Sequence, residues 1–249
     1  MKQLHERTTW TNPNIKYLKN VKIYEFDLKS AGLSIIKEKK LLSEKKIKQL
    51  EEMPKEKRTI VEGIQIRNNP EFKKIFEDTF AEVRYAFFFH NNLKESDILS
   101  IKRDAVFVIN KNPEYLEFGE NFIFRKKHFF TSYMKIDNLE IFYSPENDSL
   151  EIKGLSDSSI FNSKIFDDIK LIIKQSEKMA GSKIYPLLKN YRKKYLNKEL
   201  DIETYRNIQT GMFHIGTDQY QYLNKEDLDD IDISYNYTHL ILPIIQQIL

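Results

Sequence analysis

Not one of the 249 residues is cysteine, which excludes disulfides, thiolate zinc sites and a cysteine nucleophile. Any metal must therefore be held by oxygen or imidazole. Histidine is little help: the five lie far apart, at 5, 90, 128, 214 and 239, with no pair at the spacing of a helical metal site. Glycine is scarce, at seven residues, and none of them build a glycine-rich phosphate loop, which argues against a P-loop or dinucleotide fold. No apolar run approaches the roughly 18 residues needed to span a membrane. The start "MKQLHERTTW" also lacks the apolar centre of a signal peptide. An intracellular, cytoplasmic protein with no membrane partner is expected. Internal repeats and low-complexity linkers are absent as well.

What is present reads as globular: 41% of residues are hydrophobic and 31% charged, with ample chain for a core. Net charge is only +3, but Lys and Arg gather at 37–48, 55–58, 125–127 and 189–194, among 14 Tyr and 17 Phe. That mixture suits a nucleic-acid groove, and equally a lysine-rich solvated surface; composition leaves both open.

The first eighteen or so residues have weak periodicity and are expected to form an irregular arm, residues 1–19. Trp10 in "TTWTNPN" is then either a core anchor or a base-stacking residue. Residues 20–27 read as a strand ending on Asp27. A helix with Ser43 at its cap follows and is broken by Pro54. "KEKRTIVEGIQIRNN" makes a second helix, on which Ile60, Ile64 and Arg67 fall near one face. Pro70 opens a third, with Phe72, Ile75, Phe76, Phe80, Val83 and Phe87 as a core-facing stripe. Residues 98–110 alternate as strand, tight turn and strand. Four further β-like runs are expected at about 121–125, 128–136, 139–143 and 149–153. Helices follow near 162–179, 183–196 and 201–208, and "THLILPIIQQIL" reads as a buried helix interrupted by Pro243. "GTDQYQY" and "EDLDDIDISY" are polar enough to suggest metal ligands, but the latter is more simply a capped turn. The order of elements predicts an α+β fold rather than a doubly wound sheet.

Two carboxylates share one local setting. Asp27 closes a strand, and Asp104 sits at the hairpin turn of "ILSIKRDAVFVI". Taken singly, each has an ordinary explanation, a helix cap for Asp27 and a turn former for Asp104. If the strand and hairpin are sheet neighbours, both acids emerge at one edge and offer hard oxygen ligands for Mg²⁺. Two-metal nucleotidyl transfer uses such carboxylates to bridge ions about 3.5–4 Å apart.

These residues resemble a known family. "YEFDLKSAGLSII" resembles motif A of the family B DNA polymerases, with Asp27, Ser30 and Ser34 on matching positions and Ala31, Gly32 and Leu33 departing from it. "SIKRDAVFV" resembles motif C, with Asp104 on its second Asp and Lys102 in place of the first. "FRKKHFFTSY" and "LEIKGLSD" then resemble, in the family's order, the basic-aromatic and Lys-Gly elements that hold the primer–template duplex. The resemblance covers roughly residues 20–155. It implies a palm with an antiparallel sheet at 20–155, short helical fingers inserted at about 42–92, and a helical thumb-like region at 156–249. It further implies Asp27 and Asp104 as catalytic and metal-binding residues for Mg²⁺, two ions if active. Lys126, Lys127, Phe129 and Lys153 would hold nucleic acid. The fingers do not reproduce the family pattern; Lys57, Arg58 and Arg67 are candidate triphosphate contacts, with an exposed basic helix as the plainer account. Arg192 and Lys193, in a basic-aromatic patch from Tyr191 to Tyr195, could track a duplex. His128, in the basic strand, is a further phosphate candidate.

The expected function is template-dependent nucleotidyl transfer on primed DNA or RNA from nucleoside triphosphates, in a phage or mobile-element setting, hence in the host cytoplasm. The alternative is a catalytically degenerate palm that binds nucleic acid or a replication or defence protein; Lys102 keeps it open. A third possibility is a structural protein whose motif matches are accidental.

Overall fold

The computed structural model describes residues 3–155, 164–208, 213–215, 218–220 and 230–249. The start of the helix expected at 162, most of "GTDQYQY" and the first part of "EDLDDIDISY" lie outside the described residues. The chain is α+β with antiparallel strand pairing. It forms two compact units. One holds the described residues up to Pro13 together with Lys22–Phe129, the other Asn14–Val21 and Phe130–Leu249.

In the first unit the strand order is β1 (Thr9–Thr11), β3 (Ile98–Lys102), β4 (Ala105–Ile109), β2 (Tyr17–Leu28) and β6 (Phe122–Ile136). The parts of β2 and β6 in this unit are Lys22–Leu28 and the residues up to Phe129. A short β5 (Glu117–Phe118) pairs with β6. Four helices lie between β2 and β3: α1 (Ala31–Glu38), α2 (Glu44–Glu52), α3 (Lys55–Asn68) and α4 (Pro70–His90).

One sheet face carries Phe26, Leu28, Ile101, Val106, Val108 and Phe124 and packs on Phe76, Val83 and Phe87 of α4 and on Ile35 and Ile36 of α1. Phe87 stacks on Phe124 with centroids 4.3 Å apart. Burial of such rings is the main source of stability here, roughly 25 cal/mol per Å² of apolar surface. The start of α4 follows from its sequence: Pro70 needs no amide partner, and Asn69 Oδ1 accepts from Glu71 N and Phe72 N at 3.1 and 3.4 Å. Ser43 holds the cap position of α2, but its side chain makes no capping bond.

In the second unit β6 continues from Phe130 into β7 (Leu139–Ser144) and β8 (Ser149–Lys153), all antiparallel. α5 (Lys164–Lys178) lays Ile165, Ile169, Ile172 and Ile173 into a core shared with Ile141, Tyr143 and Ile152. α6 (Gly181–Leu196) follows, then the pair β9 (Phe213–Ile215) and β10 (Asp218–Tyr220), and α7 (Asp230–Asn236) and α8 (Leu242–Ile248). Gly154, at φ +98°, has no room for a side chain, because a Cβ there would strike Asn138 O.

Several expectations are corrected. The arm contains β1, which Trp10 joins to β3 opposite Ile101, and the start of β2. The runs at 121–125 and 128–136 are one strand, which runs unbroken through the charged residues 125–128. The helix expected at 201–208 is a single 3-10 turn, Ile202–Tyr205, with Asp201 Oδ1 accepting from Glu203 N. Pro243 does not interrupt its helix: the chain widens into a π turn at Tyr237–Ile241 and continues, placing the proline in the first turn of α8. Ile60 and Ile64 do share a face of α3, but it is the solvent side, at 64% and 41% exposure. Residues 130–155 pack with the C-terminal helices, so the division between the units does not fall at 155.

Candidate functional site

The opposite face of the first unit's sheet is polar. Pairing of Asp27 with Ala105 and of Ala105 with Lys102 sets these three in one row; Glu25, Phe107 and Ser100 form the next. Because side chains alternate along a strand, Glu25 and Asp27 share this face of β2. The β3–β4 turn is only two residues, Arg103 and Asp104, with Arg103 left-handed at φ 57°. That tight turn fixes Asp104 at the end of β2, where its carbonyl accepts from Leu28 N at 3.1 Å.

Asp27 and Asp104 are thereby brought close enough for the charge of one to act on the other. Accordingly, burial first and then the Asp27 charge push Asp104 above the usual carboxylate range, with Lys127 acting against the shift.

Basic side chains lie on the pair and on the neighbouring Glu25. Arg125 Nη2 lies 3.1 Å from Asp27 Oδ2, the arginine about half exposed and the aspartate 16% exposed. Lys127 Nζ lies 3.7 Å from Oε1 of Glu25, whose side chain is 1% exposed, and His128 Nε2 is 4.0 Å from its other oxygen. Behind the turn, Arg84 of α4 is buried and donates to His5 O at 2.9 Å and Arg103 O at 2.7 Å. Burial lowers its pKa to about 10, against the pull of Asp104.

The candidate triphosphate residues separate. Arg58 is 13% exposed, donates to Ser30 Oγ at 3.2 Å and lies 3.7 Å from Glu62 Oε1. It thus approaches the turn three residues beyond Asp27. Burial raises the Glu62 pKa and Arg58 lowers it. Glu62 also lies against Gly32 of α1, where a Cβ would collide with its carboxylate. Lys57 and Arg67 are exposed on the outer side of α3.

Lys102 shares the row of Asp27, but two strand spacings away, about 9–10 Å. Its ammonium donates to Thr11 Oγ1 at 3.1 Å, on the β1 side. It therefore does not stand between the carboxylates.

Of the remaining candidates, Lys126 lies over the Tyr24 ring at 4.2 Å and Phe129 packs on the same ring, centroids 5.4 Å apart. In the second unit, Lys153 is ion-paired with Glu151, Arg192 donates to Tyr237 Oη at 2.6 Å, and Lys193 is exposed.

Glu25, Arg84 and Arg125 were not singled out from sequence. Glu25 had a readable signal, an acid two residues before Asp27 and so on the same strand face. Arg84 is hidden inside the apolar stripe of α4.

The hard oxygens of Asp27 and Asp104 suit a single Mg²⁺, with Arg125 on one of them. A second ion would have to draw further oxygens from a phosphate substrate.

The family model described as Bacteriophage PBS1 gene 130 protein matches residues 1–249. No curated protein matches. Among the described residues no helix is long and apolar enough to cross a membrane.

Proposed function

The chain belongs to the family of the bacteriophage PBS1 gene 130 protein, and for this phage protein we propose template-dependent nucleotidyl transfer on primed DNA or RNA, performed on a small palm-like sheet. The meeting of Asp27 and Asp104 at the end of β2 supports it. Bound Mg²⁺ would activate the attacking hydroxyl and neutralise the phosphates. Asp27 and Asp104 would hold the ion, whose charge would relieve their mutual repulsion. Arg58, tethered by Ser30 and Glu62, meets the triphosphate, with Lys57 and Arg67 further out on the same short fingers. Lys126, Lys127 and Phe129 hold nucleic acid along β6. Taken by itself, the second unit has Lys153, Arg192 and Lys193 as its candidate nucleic-acid contacts, on a thumb-like region.

A second proposal is an inert palm that binds nucleic acid, or a replication or defence protein, without making bonds. The Arg125–Asp27 ion pair favours it, since that cation already occupies an oxygen the metal requires.

Primer extension decides between them. Activity predicts Mg²⁺- or Mn²⁺-dependent extension of a primed template that both Asp27→Asn and Asp104→Asn abolish while duplex binding is retained. Salt-dependent binding without extension, under any nucleotide set or divalent metal, supports the inert palm instead.

A further inference from the structure

We propose that Arg125 is the residue that exchanges one anion for another at this site: it neutralises Asp27 in the empty protein and moves to the triphosphate when a metal arrives. This rests on the metal-pair reading above and adds a role for Arg125, to which the resemblance gave none.

Three observations lead to it. Arg125 makes its ion pair through Nη2 with Asp27 Oδ2, at 3.1 Å, so it covers one of the oxygens a divalent cation would use. Its side chain is 48% exposed, against 13% for Arg58, so it has solvent to move into where Arg58 is fixed by Ser30 and Glu62. Finally, the pairing of β2 with β4 and the two-residue β3–β4 turn place Asp104 beside the end of β2, so backbone geometry and not Arg125 brings the acids together. The guanidinium is thus a counter-ion rather than the element that assembles the site.

Charge decides the direction of the exchange. A dication between Asp27 and Asp104 cancels the field that holds Arg125 in place and repels it. The guanidinium stays anchored to β6 beside the site, and its planar fork fits phosphate oxygens with two parallel hydrogen bonds. A metal-bound triphosphate brings the largest anionic charge within its reach. Lys127 is not an equivalent candidate, because its nearest acid is the buried Glu25.

The test uses the full chain and two probes, Mn²⁺ alone followed by electron paramagnetic resonance, and an uncleavable α,β-methylene nucleoside triphosphate with Mg²⁺ followed by calorimetry. Removing a competing cation predicts that Arg125→Gln binds Mn²⁺ roughly threefold to fivefold more tightly than wild type. The same variant should bind the triphosphate analogue on the order of tenfold more weakly. Arg125→Lys, which keeps the charge and the packing, should leave Mn²⁺ affinity near wild type but still weaken the analogue. It carries the test if the glutamine variant misfolds. Tighter metal binding is a change that structural damage does not produce. Should Asp104→Asn lose Mn²⁺ while Arg125→Gln shows unchanged or weaker Mn²⁺ affinity, the exchange is wrong and the metal pair stands. If wild type and both Arg125 variants bind no Mn²⁺, the metal pair and the exchange fall together.

Discussion

The two units hold their less exposed acids with different partners. In the second, three carboxylates face hydroxyl groups, while Glu151, Asp148 and Glu203 pair with cations nearer the surface: Glu140 accepts from Tyr133 Oη at 3.2 Å, Glu177 from Thr131 and Ser132 at 2.6 Å each, and Asp168 from Tyr191 and Thr204. Neutral donors of this kind solvate an acid inside a fold and ask nothing more of it. In the first unit, acids face cations and one another: Asp27 with Arg125 and Asp104, Glu25 with Lys127, Glu62 with Arg58. A carboxylate placed beside another carboxylate raises the free energy of the empty protein. Such an arrangement makes sense where an external cation completes it.

The largest effect that would test this contrast belongs to Arg84. Arg84→Met leaves His5 O and Arg103 O without their donor, and we expect a loss of about 3 kcal/mol in urea unfolding. A loss below about 1 kcal/mol would mean that the hairpin turn is held by something else.

Next comes the metal. Mg²⁺ at ten times its dissociation constant should stabilise wild type by about 1.4 kcal/mol in thermal melts. Asp104→Asn should lose this gain and Asp168→Asn should keep it. Equal responses would erase the distinction between the units.

The smallest effect has an unusual sign. Asp104 has a folded pKa above its unfolded value, so its contribution to stability is complete below the unfolded pKa and is lost as pH rises through the folded one. At neutral pH without metal, Asp104→Asn should therefore be more stable than wild type, by about 1 kcal/mol on the repulsion of two close charges. That advantage should shrink on acidification through the carboxylate range. Tyr133→Phe in the second unit should instead cost about 1 kcal/mol, the usual worth of one hydrogen bond. Denaturation of the three proteins across pH checks both signs.

Much of this architecture was readable before any coordinates. The helices α2, α3, α4, α5 and α6 follow from apolar spacing and from Pro54 and Pro70, and the β3–β4 hairpin from its alternating flanks. That Asp27 and Asp104 could share an edge was legible because both lie at strand ends. Their meeting required the pairing of β2 with β4, which local sequence does not encode. β1 was missed because three residues carry no period, and it exists as a strand only through β3. β6 was split in two because residues 125–128 interrupt its apolar pattern without interrupting the strand. Arg84 was invisible for a different reason: its role is to satisfy main-chain carbonyls from two distant segments, His5 and Arg103, and carbonyls leave no mark on sequence.

The missing side chain at Gly32 carries a consequence for how such a sequence can diverge. Glu62 rests where a methyl group at position 32 would be, and Arg58 is fixed in turn by Glu62. Positions 32 and 62 are therefore coupled. With alanine at the first, the flexible end of Glu62 has to swing aside, and Arg58 would then lose one of the two groups that aim it.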